Sequence, residues 1–141
     1  GYPAPGEEVR TLHLARGGTR PEDLPAVTSA AEILEMQRRC REVKTAEAVK
    51  QYVVRIAEET RRDRNVSLGA SPRASLMLLT ASMAWALLHG RDYVLPDDVQ
   101  RLAVPVLAHR IRLKAQAGYQ QKSAEDVVRA IVGSLRVPTG L

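Results

Sequence analysis

The stretch GASPRASLMLLTASMAWALLHG, residues 69–90, decides how the rest of the chain folds. Ser71 is a helix-capping residue type, and Pro72 fits the first helical position, where its missing N–H costs nothing. The residues from Leu76 to Leu88 leave little polar face, so they predict a central helix that other helices surround. Gly90 suits the left-handed conformation that commonly ends a helix.

The first turn of this helix has an unusual charge. Unpaired N–H groups and the helix dipole favour acidic residues there, yet the start at Ser71 has none and contains Arg73 instead. A cation in this place costs roughly 0.3–1 kcal/mol, whereas a charge-assisted hydrogen bond to phosphate contributes about 1.5–3 kcal/mol. The sequence therefore favours a phosphate-binding corner at Arg73 and Ser71. An ion pair of Arg73 within the chain, or its exposure to water, stays open.

Three helices are predicted before this corner. A short helix from Glu7 to Arg16 lies in a segment, residues 1–28, that several Pro and Gly residues interrupt, Gly17, Gly18 and Pro21 among them. Ser29 and Glu32 have the spacing of a capping box and open a helix that ends near Arg41. Thr45 is predicted to cap the third helix. Its apolar stripe follows helical spacing at Val49, Tyr52, Val53, Ile56, Ala57 and Thr60.

Two further helices are predicted after Gly90. A short extended link leads to a helix that starts at Pro96 with acid in its first turn, and Pro105 predicts a kink or break near Val104, with the helix resuming through Ile111. Residues 114–122 are predicted to form a loop or an irregular hairpin, and no alternating strand pattern is found. Ser123 caps the last helix, before the closing Pro138 and Gly140. Its inner stripe is Val127, Val128, Ile131, Val132 and Leu135.

The fold class is therefore predicted to be all-α: a compact helical bundle over residues 29–141, preceded by a connector over residues 1–28. The chain has 141 residues, and 45% of them are hydrophobic but none is Phe, so the core should consist mainly of aliphatic side chains. Cys40 is the single cysteine and is interpreted as a small apolar residue. The three histidines are far apart in sequence, so no metal site is indicated.

The charge and the targeting signals are less informative. A net charge of +5 permits nucleic-acid binding without requiring it. No signal peptide is found, and no apolar run reaches the ~20 residues of a membrane span, which favours a cytoplasmic location. The chain begins with Gly1 rather than Met, as a piece of a longer protein would.

Four segments together resemble the C-terminal lid of MoxR-family AAA+ ATPases. They are LGASPRAS at residues 68–75, GRDYVLPDDV at 90–99, LAVPVLAHR at 102–110 and, more loosely, GYP at 1–3. The last of these resembles the segment that follows the final strand of the family's ATPase core. The resemblance covers essentially the whole chain. The combination of motifs is specific, whereas the Ser-Pro-Arg tripeptide alone is not.

The resemblance implies a helical lid that packs beside ATP on a separate α/β core domain. It implies that Arg73 is the sensor-2 arginine, which reaches the nucleotide phosphates. It further implies ring assembly, usually hexameric, and a chaperone-like action on partner complexes, often through proteins with von Willebrand A domains.

The sequence departs from a complete ATPase of this family. It contains no G-x-x-x-x-G-K-[ST] loop to hold phosphates and no apolar run that ends in paired acids for magnesium. The magnesium is thus expected in the core domain, and the chain is not expected to hydrolyse ATP alone.

Two alternatives from other classes remain open. A basic helical module could bind nucleic acid through arginines near residues 38–41, 61–64 and 110–114, although acids are interleaved with them. A protein adaptor with helices packed as in a histone-like fold is compatible with the lid interpretation.

Overall fold

The computed structural model describes residues 2–16, 23–115 and 122–139. The chain divides into two compact units, Gly1–Leu34 and Glu35–Leu141. The first unit holds helix α1 (Pro5–Arg16) and the start of α2 (Ala30–Glu42). The described elements that follow α2, all in the second unit, are α3 (Glu47–Arg62), β1 (Val66–Leu68), α4 (Pro72–Leu88), α5 (Pro96–Leu107), the 3-10 helix Ala108–Arg110, β2 (Arg112–Leu113) and α6 (Ala124–Ser134).

The predicted all-α class is confirmed, with one addition that the sequence pattern did not predict. Strands β1 and β2 form a small antiparallel pair, in which the hydroxyl of Ser67 donates to the carbonyl of Arg112 at 3.0 Å. Strands of three and two residues are too short to show a period of two, so the pattern missed them. The positions predicted as breaks or turns at Gly17, Gly18, Pro21 and Gly140, and loop residues 116–121, lie outside the described residues.

The core of the second unit is built around α3. Tyr52 is completely buried, and its hydroxyl accepts a hydrogen bond from Nε2 of Gln100 in α5 at 3.0 Å. Helix α6 packs against α3 and α5 and buries Val127, Val128 and Ile131 of its predicted stripe. The predicted inner stripe of α3 is confirmed in full, since every member is buried: Val49, Tyr52, Val53, Ile56, Ala57 and Thr60.

Helix α4 packs against α3 and α5, but it is not covered on all sides as its apolar sequence suggested. Its fully buried residues form one narrow stripe of mostly small side chains, Ala74, Leu78, Ser82 and Ala86. Small residues let neighbouring backbones approach closely. On another face, Leu76 is 64% exposed and Met77 is 38% exposed. Apolar composition therefore predicted the helix but not which faces its neighbours cover.

Two of the predicted caps are confirmed and two are corrected. Ser29 caps α2 through the N–H of Glu32 at 3.2 Å, and Ser123 caps α6 through the N–H of Asp126 at 3.1 Å. The prediction for Thr45 is wrong, because the residue before α3 is Ala46, without a side-chain cap. The hydroxyl oxygen of Thr45 is instead buried without a hydrogen-bond partner among the described residues. Ser71 does stand before α4, but its hydroxyl makes no capping bond.

Helix α5 is not broken near Val104. It continues through Pro105 to Leu107 and then tightens into the 3-10 helix. Proline removes the N–H that would bond to the fourth residue before it, and its ring crowds that residue's carbonyl. Pro105 lies in the last turn of α5, so the α-helix ends two residues after it instead of breaking before it.

Two features stabilise the link between α4 and α5. One is the predicted glycine at the end of α4, and the other is an ion pair that was not predicted. Gly90 has a φ of +71°, and the N–H of Arg91 returns to the carbonyl of Ala86 at 3.0 Å, the pattern of a Schellman motif. The Arg91 guanidinium then donates to both oxygens of Asp98, at 2.7 and 2.8 Å. We call the contact of Arg91 with Asp98 the interhelical clasp.

The interhelical clasp is nearly buried, and its contacts change the pKa of Asp98. The Asp98 side chain is 5% exposed and that of Arg91 is 21% exposed. Burial alone would raise the pKa of Asp98, but the hydrogen bonds from Arg91 and from the N–H of Leu95 outweigh it and lower the pKa below the usual value. The acid is therefore charged in the folded protein at neutral pH.

Replacing Asp98 by Asn should lower the free energy of unfolding by about 2–4 kcal/mol, because it leaves a largely buried guanidinium without its counter-charge. Asp97→Asn is the matched control: the exposed neighbour in the same turn should cost less than about 1 kcal/mol. Urea unfolding at pH 7 measures both variants. Equal losses would contradict the role given to the clasp.

The interhelical clasp should also make the free energy of unfolding depend on pH. Since the folded pKa of Asp98 lies below the unfolded one, its contribution is complete above the unfolded pKa and disappears as the pH falls through the folded pKa. Between about pH 5 and pH 2, the unaltered chain should therefore lose more unfolding free energy than the Asp98→Asn variant. Urea unfolding of both at a series of pH values tests this, and parallel curves would argue against it.

Candidate functional site

The end of α3 positions the start of α4 through two hydrogen bonds to one residue. The N–H of Ala70 donates to Oγ1 of Thr60 at 2.9 Å, and Nε of Arg61 donates to the carbonyl of Ala70 at 2.7 Å. Thr60 and Ala70 are both buried. Both backbone polar groups of Ala70 are thus satisfied by adjacent residues of α3. We call this pair of bonds the Ala70 clamp.

Gly69 is required by the same close approach. A Cβ added there would lie 2.6 Å from Cα of Arg61 and 2.7 Å from its backbone nitrogen. Real Cβ atoms do not come so near to a neighbouring backbone, so a side chain at this position would push the segment away from α3. The glycine that opens the Ser-Pro-Arg motif therefore serves packing.

Arg73 follows the clamp by three residues and is exposed. The first turn of α4 contains no acidic residue, whereas those of α1, α2, α3, α5 and α6 do. Within the described part of the chain, the guanidinium makes no hydrogen bond or ion pair. Of the possibilities that the sequence left open, an ion pair within the chain is not found among these residues. The next residue, Ala74, is buried and anchors the turn.

The backbone at this corner offers few donors. Pro72 has no N–H, and the N–H groups of Ala74 and Ser75 point to the carbonyl of Ser71, at 2.9 and 3.4 Å. Ser71 is exposed and its hydroxyl makes no cap. An anion at this corner would therefore meet the Arg73 side chain more than a nest of free N–H groups.

An open cavity of about 540 Å³ lies beside Arg73. Its wall is one face of α4, and it combines a single cation with apolar surface. The hydroxyl of Thr80 is already used, since it donates to the carbonyl of Leu76 at 2.9 Å. A guanidinium beside an apolar wall suits a ligand with an anionic end and a flat or apolar end. The cavity is lined by Pro72, Arg73, Leu76, Met77 and Thr80.

The basic clusters that could have served nucleic acid are partly neutralised. Arg38 is bonded to Glu35 at 2.8 Å and also to Glu42, and Arg62 pairs with Glu59 at 3.1 Å. Hydrogen bonds from Arg38, and then from its neighbour Arg39, lower the pKa of Glu35 to about 2. Their charges are balanced locally, which weakens the case for a continuous basic surface.

Other kinds of site are not found in the part of the chain that the structure describes. It contains no group of three or more His, Cys, Asp or Glu residues arranged to hold a metal ion. Cys40 is half-buried on α2. None of the described helices has the length and hydropathy needed to cross a membrane.

Known proteins similar to this chain have the domain type that its helices and its Ser-Pro-Arg motif suggested. Residues 58–131, from the end of α3 to most of α6, match the family described as the AAA lid domain. The chain is 40% identical over 138 residues to the uncharacterized protein YeaC of Bacillus subtilis, covering 98% of the chain and 43% of that protein. It is 33% identical over 147 residues to chaperone MoxR1 of Mycobacterium tuberculosis, covering 98% of the chain and 38% of the relative.

A solved structure shares the fold. The protein, described as "a putative ATPase" from Cytophaga hutchinsonii, superimposes with a TM-score of 0.84 over 99% of this chain and 45% of its own, at 22% identity. The chain therefore belongs to the AAA lid domain family and, within it, to the lids of MoxR-type AAA+ proteins. The resemblance drawn from the sequence is confirmed. The chain spans less than half the length of these relatives.

Thr60→Val tests the Ala70 clamp. The change keeps the volume but leaves the N–H of Ala70 buried and unpaired, so the free energy of unfolding should fall by about 1–3 kcal/mol. Thr80→Val is the control, because the hydroxyls of Thr60 and Thr80 each donate to a carbonyl of their own helix, but Thr80 is exposed and accepts no backbone N–H among the described residues. It should change stability by no more than about 0.5 kcal/mol. Urea unfolding and amide exchange at Ala70 report the result. Equal effects of the two substitutions would refute the clamp.

Proposed function

We propose that this chain is the lid of an ATP-hydrolysing AAA+ protein and that it closes over ATP bound to a separate core domain. The observation that supports this is Arg73, a cation that stands in an acid-free helix start, beside a cavity, in a chain of the AAA lid family. The donor set fits a phosphorylated nucleotide, because the guanidinium suits phosphate and the apolar wall suits a base.

In this proposal, Arg73 contacts the β- and γ-phosphates and acts as sensor 2, while Ser71 sets the start of its helix. ATP brings the triphosphate and its magnesium, which the core domain would hold. Arg73 loses one partner after hydrolysis, so the lid can rotate relative to the core, a form of hinge switching. The connector up to Thr28 is the proposed hinge region, with the lid domain at residues 29–141.

The partners follow from the same family assignment. We propose that the intact protein assembles into a ring, with six subunits as the expected number, and that ATP turnover drives chaperone-like remodelling or activation of partner complexes. Proteins with von Willebrand A domains are candidate partners. A cytoplasmic location would be consistent with this function.

Arg73→Ala in the intact ATPase should lower kcat/KM for ATP about 10- to 100-fold, the loss expected for one charge-assisted bond to phosphate. The melting curve of the lid should not move, since the side chain is exposed and makes no contact that the fold needs. Arg64→Ala is the control, because Arg64 is also exposed but lies in the loop after α3.

Unchanged ATPase activity of the Arg73→Ala protein would refute the sensor assignment. A salt-dependent shift of DNA by the unaltered chain, together with unchanged ATPase activity, would favour the nucleic-acid alternative.

A further inference from the structure

A second arginine reaches the wall of the same cavity. Arg110 ends the 3-10 helix that follows α5, and its Nη2 lies 3.4 Å from the sulfur of Met77 in α4. The turn that holds Arg110 is anchored, because Leu107 and Ala108 just before it are buried. The guanidinium thus extends from a fixed turn across to α4, although the two residues are 33 positions apart in sequence.

Met77 connects this arginine with the first one. It lines the cavity together with Arg73 and stands four residues after it, so their Cα atoms are separated by one helical turn, about 6 Å along the axis. Residues four apart lie on the same helix face. Arg110 therefore touches α4 on the face that also carries Arg73.

Neither cation is neutralised within the described part of the chain. Arg110 has Met77 as its contact there, and Arg73 has no polar contact. Five described arginines differ in this respect, since each contacts a carboxylate: Arg38, Arg39, Arg62, Arg91 and Arg129. Other exposed arginines, such as Arg64 and Arg112, also lack an acid, but no polar contact among the described residues joins their side chains to a residue of the cavity wall, as the contact with Met77 does for Arg110. Both guanidinium groups are exposed and are therefore available to an anionic ligand.

We propose that Arg110 is a second phosphate-contacting arginine of the nucleotide site, acting with Arg73 on the triphosphate. This rests on the proposed function. A triphosphate carries several charges over a length that one guanidinium does not span, so two arginines from different helices can each bond a different phosphate group. The contact with Met77 brings the Arg110 guanidinium to the α4 face that also carries Arg73.

The test compares ATP and adenosine binding to the intact ATPase by calorimetry. Arg110→Gln should weaken ATP binding about tenfold, as the loss of one charge-assisted bond does, and should leave adenosine binding within about twofold because adenosine has no phosphate. Arg112→Gln is the matched control, two residues away and exposed, and should change neither affinity. Arg110→Lys, which keeps the charge, should recover part of the lost ATP affinity.

The outcomes separate this inference from the proposed function. If Arg73→Ala lowers ATP turnover but Arg110→Gln binds ATP like the Arg112→Gln control, the second arginine is refuted and the sensor assignment stands. If Arg110→Gln weakens ATP and adenosine equally, the residue serves the fold, and the inference again fails. If Arg73→Ala has no effect, the proposed function fails first. If both arginines bind one triphosphate, the loss of ATP-binding free energy in the variant that combines Arg73→Ala with Arg110→Gln should differ from the sum of the two single losses.

Discussion

The position of α4 depends on two hydrogen bonds that the end of α3 makes to Ala70. A buried backbone N–H or carbonyl without a partner costs about 1–3 kcal/mol, so the chain can enter the core here only if both groups are satisfied. Thr60 accepts from the N–H and Arg61 donates to the carbonyl. Gly69 permits this approach because a Cβ would collide with Arg61. The direction in which α4 leaves, and hence the position of Arg73, follows from these contacts.

The same constraint explains how one helix can serve both packing and binding. The buried stripe of α4 starts at Ala74, directly after Arg73, and continues through Leu78 and Ser82. Its small members bring α4 close to its neighbours, while Leu76 and Met77 stay exposed on the face of the cavity. A helix that is apolar on nearly every face therefore has apolar surface left over. That surface suits either a ligand or another domain.

Sequence analysis succeeded where helical spacing and backbone sterics decide the structure, and it failed where side chains meet across a turn or between elements. The stripe from Val49 to Thr60 and the φ of Gly90 follow from helical spacing and backbone sterics, so the pattern alone predicted them. The prediction that Thr45 caps α3 was wrong, because a capping residue type does not by itself determine where the helix begins. The bonds of Ala70 and the clasp of Arg91 with Asp98 depend on how the chain returns on itself, which composition and periodicity do not describe. For the candidate site, the sequence pointed to Arg73, but the approach of Arg110 to Met77 needed the fold.

Helix α4 is fixed at both ends, and this bears on how a signal at Arg73 would travel. The Ala70 clamp holds its start to α3, and Gly90 with the interhelical clasp joins its end to α5. A slide of α4 by one turn would break the clamp and leave the buried polar groups of Ala70 unpaired, at about 1–3 kcal/mol each, whereas a rotation of the whole packed unit breaks neither the clamp nor the clasp. Packed cores resist continuous deformation. A pull on Arg73 by a phosphate should therefore move α3, α4 and α5 together, and the bending required should occur in a segment outside this packed core.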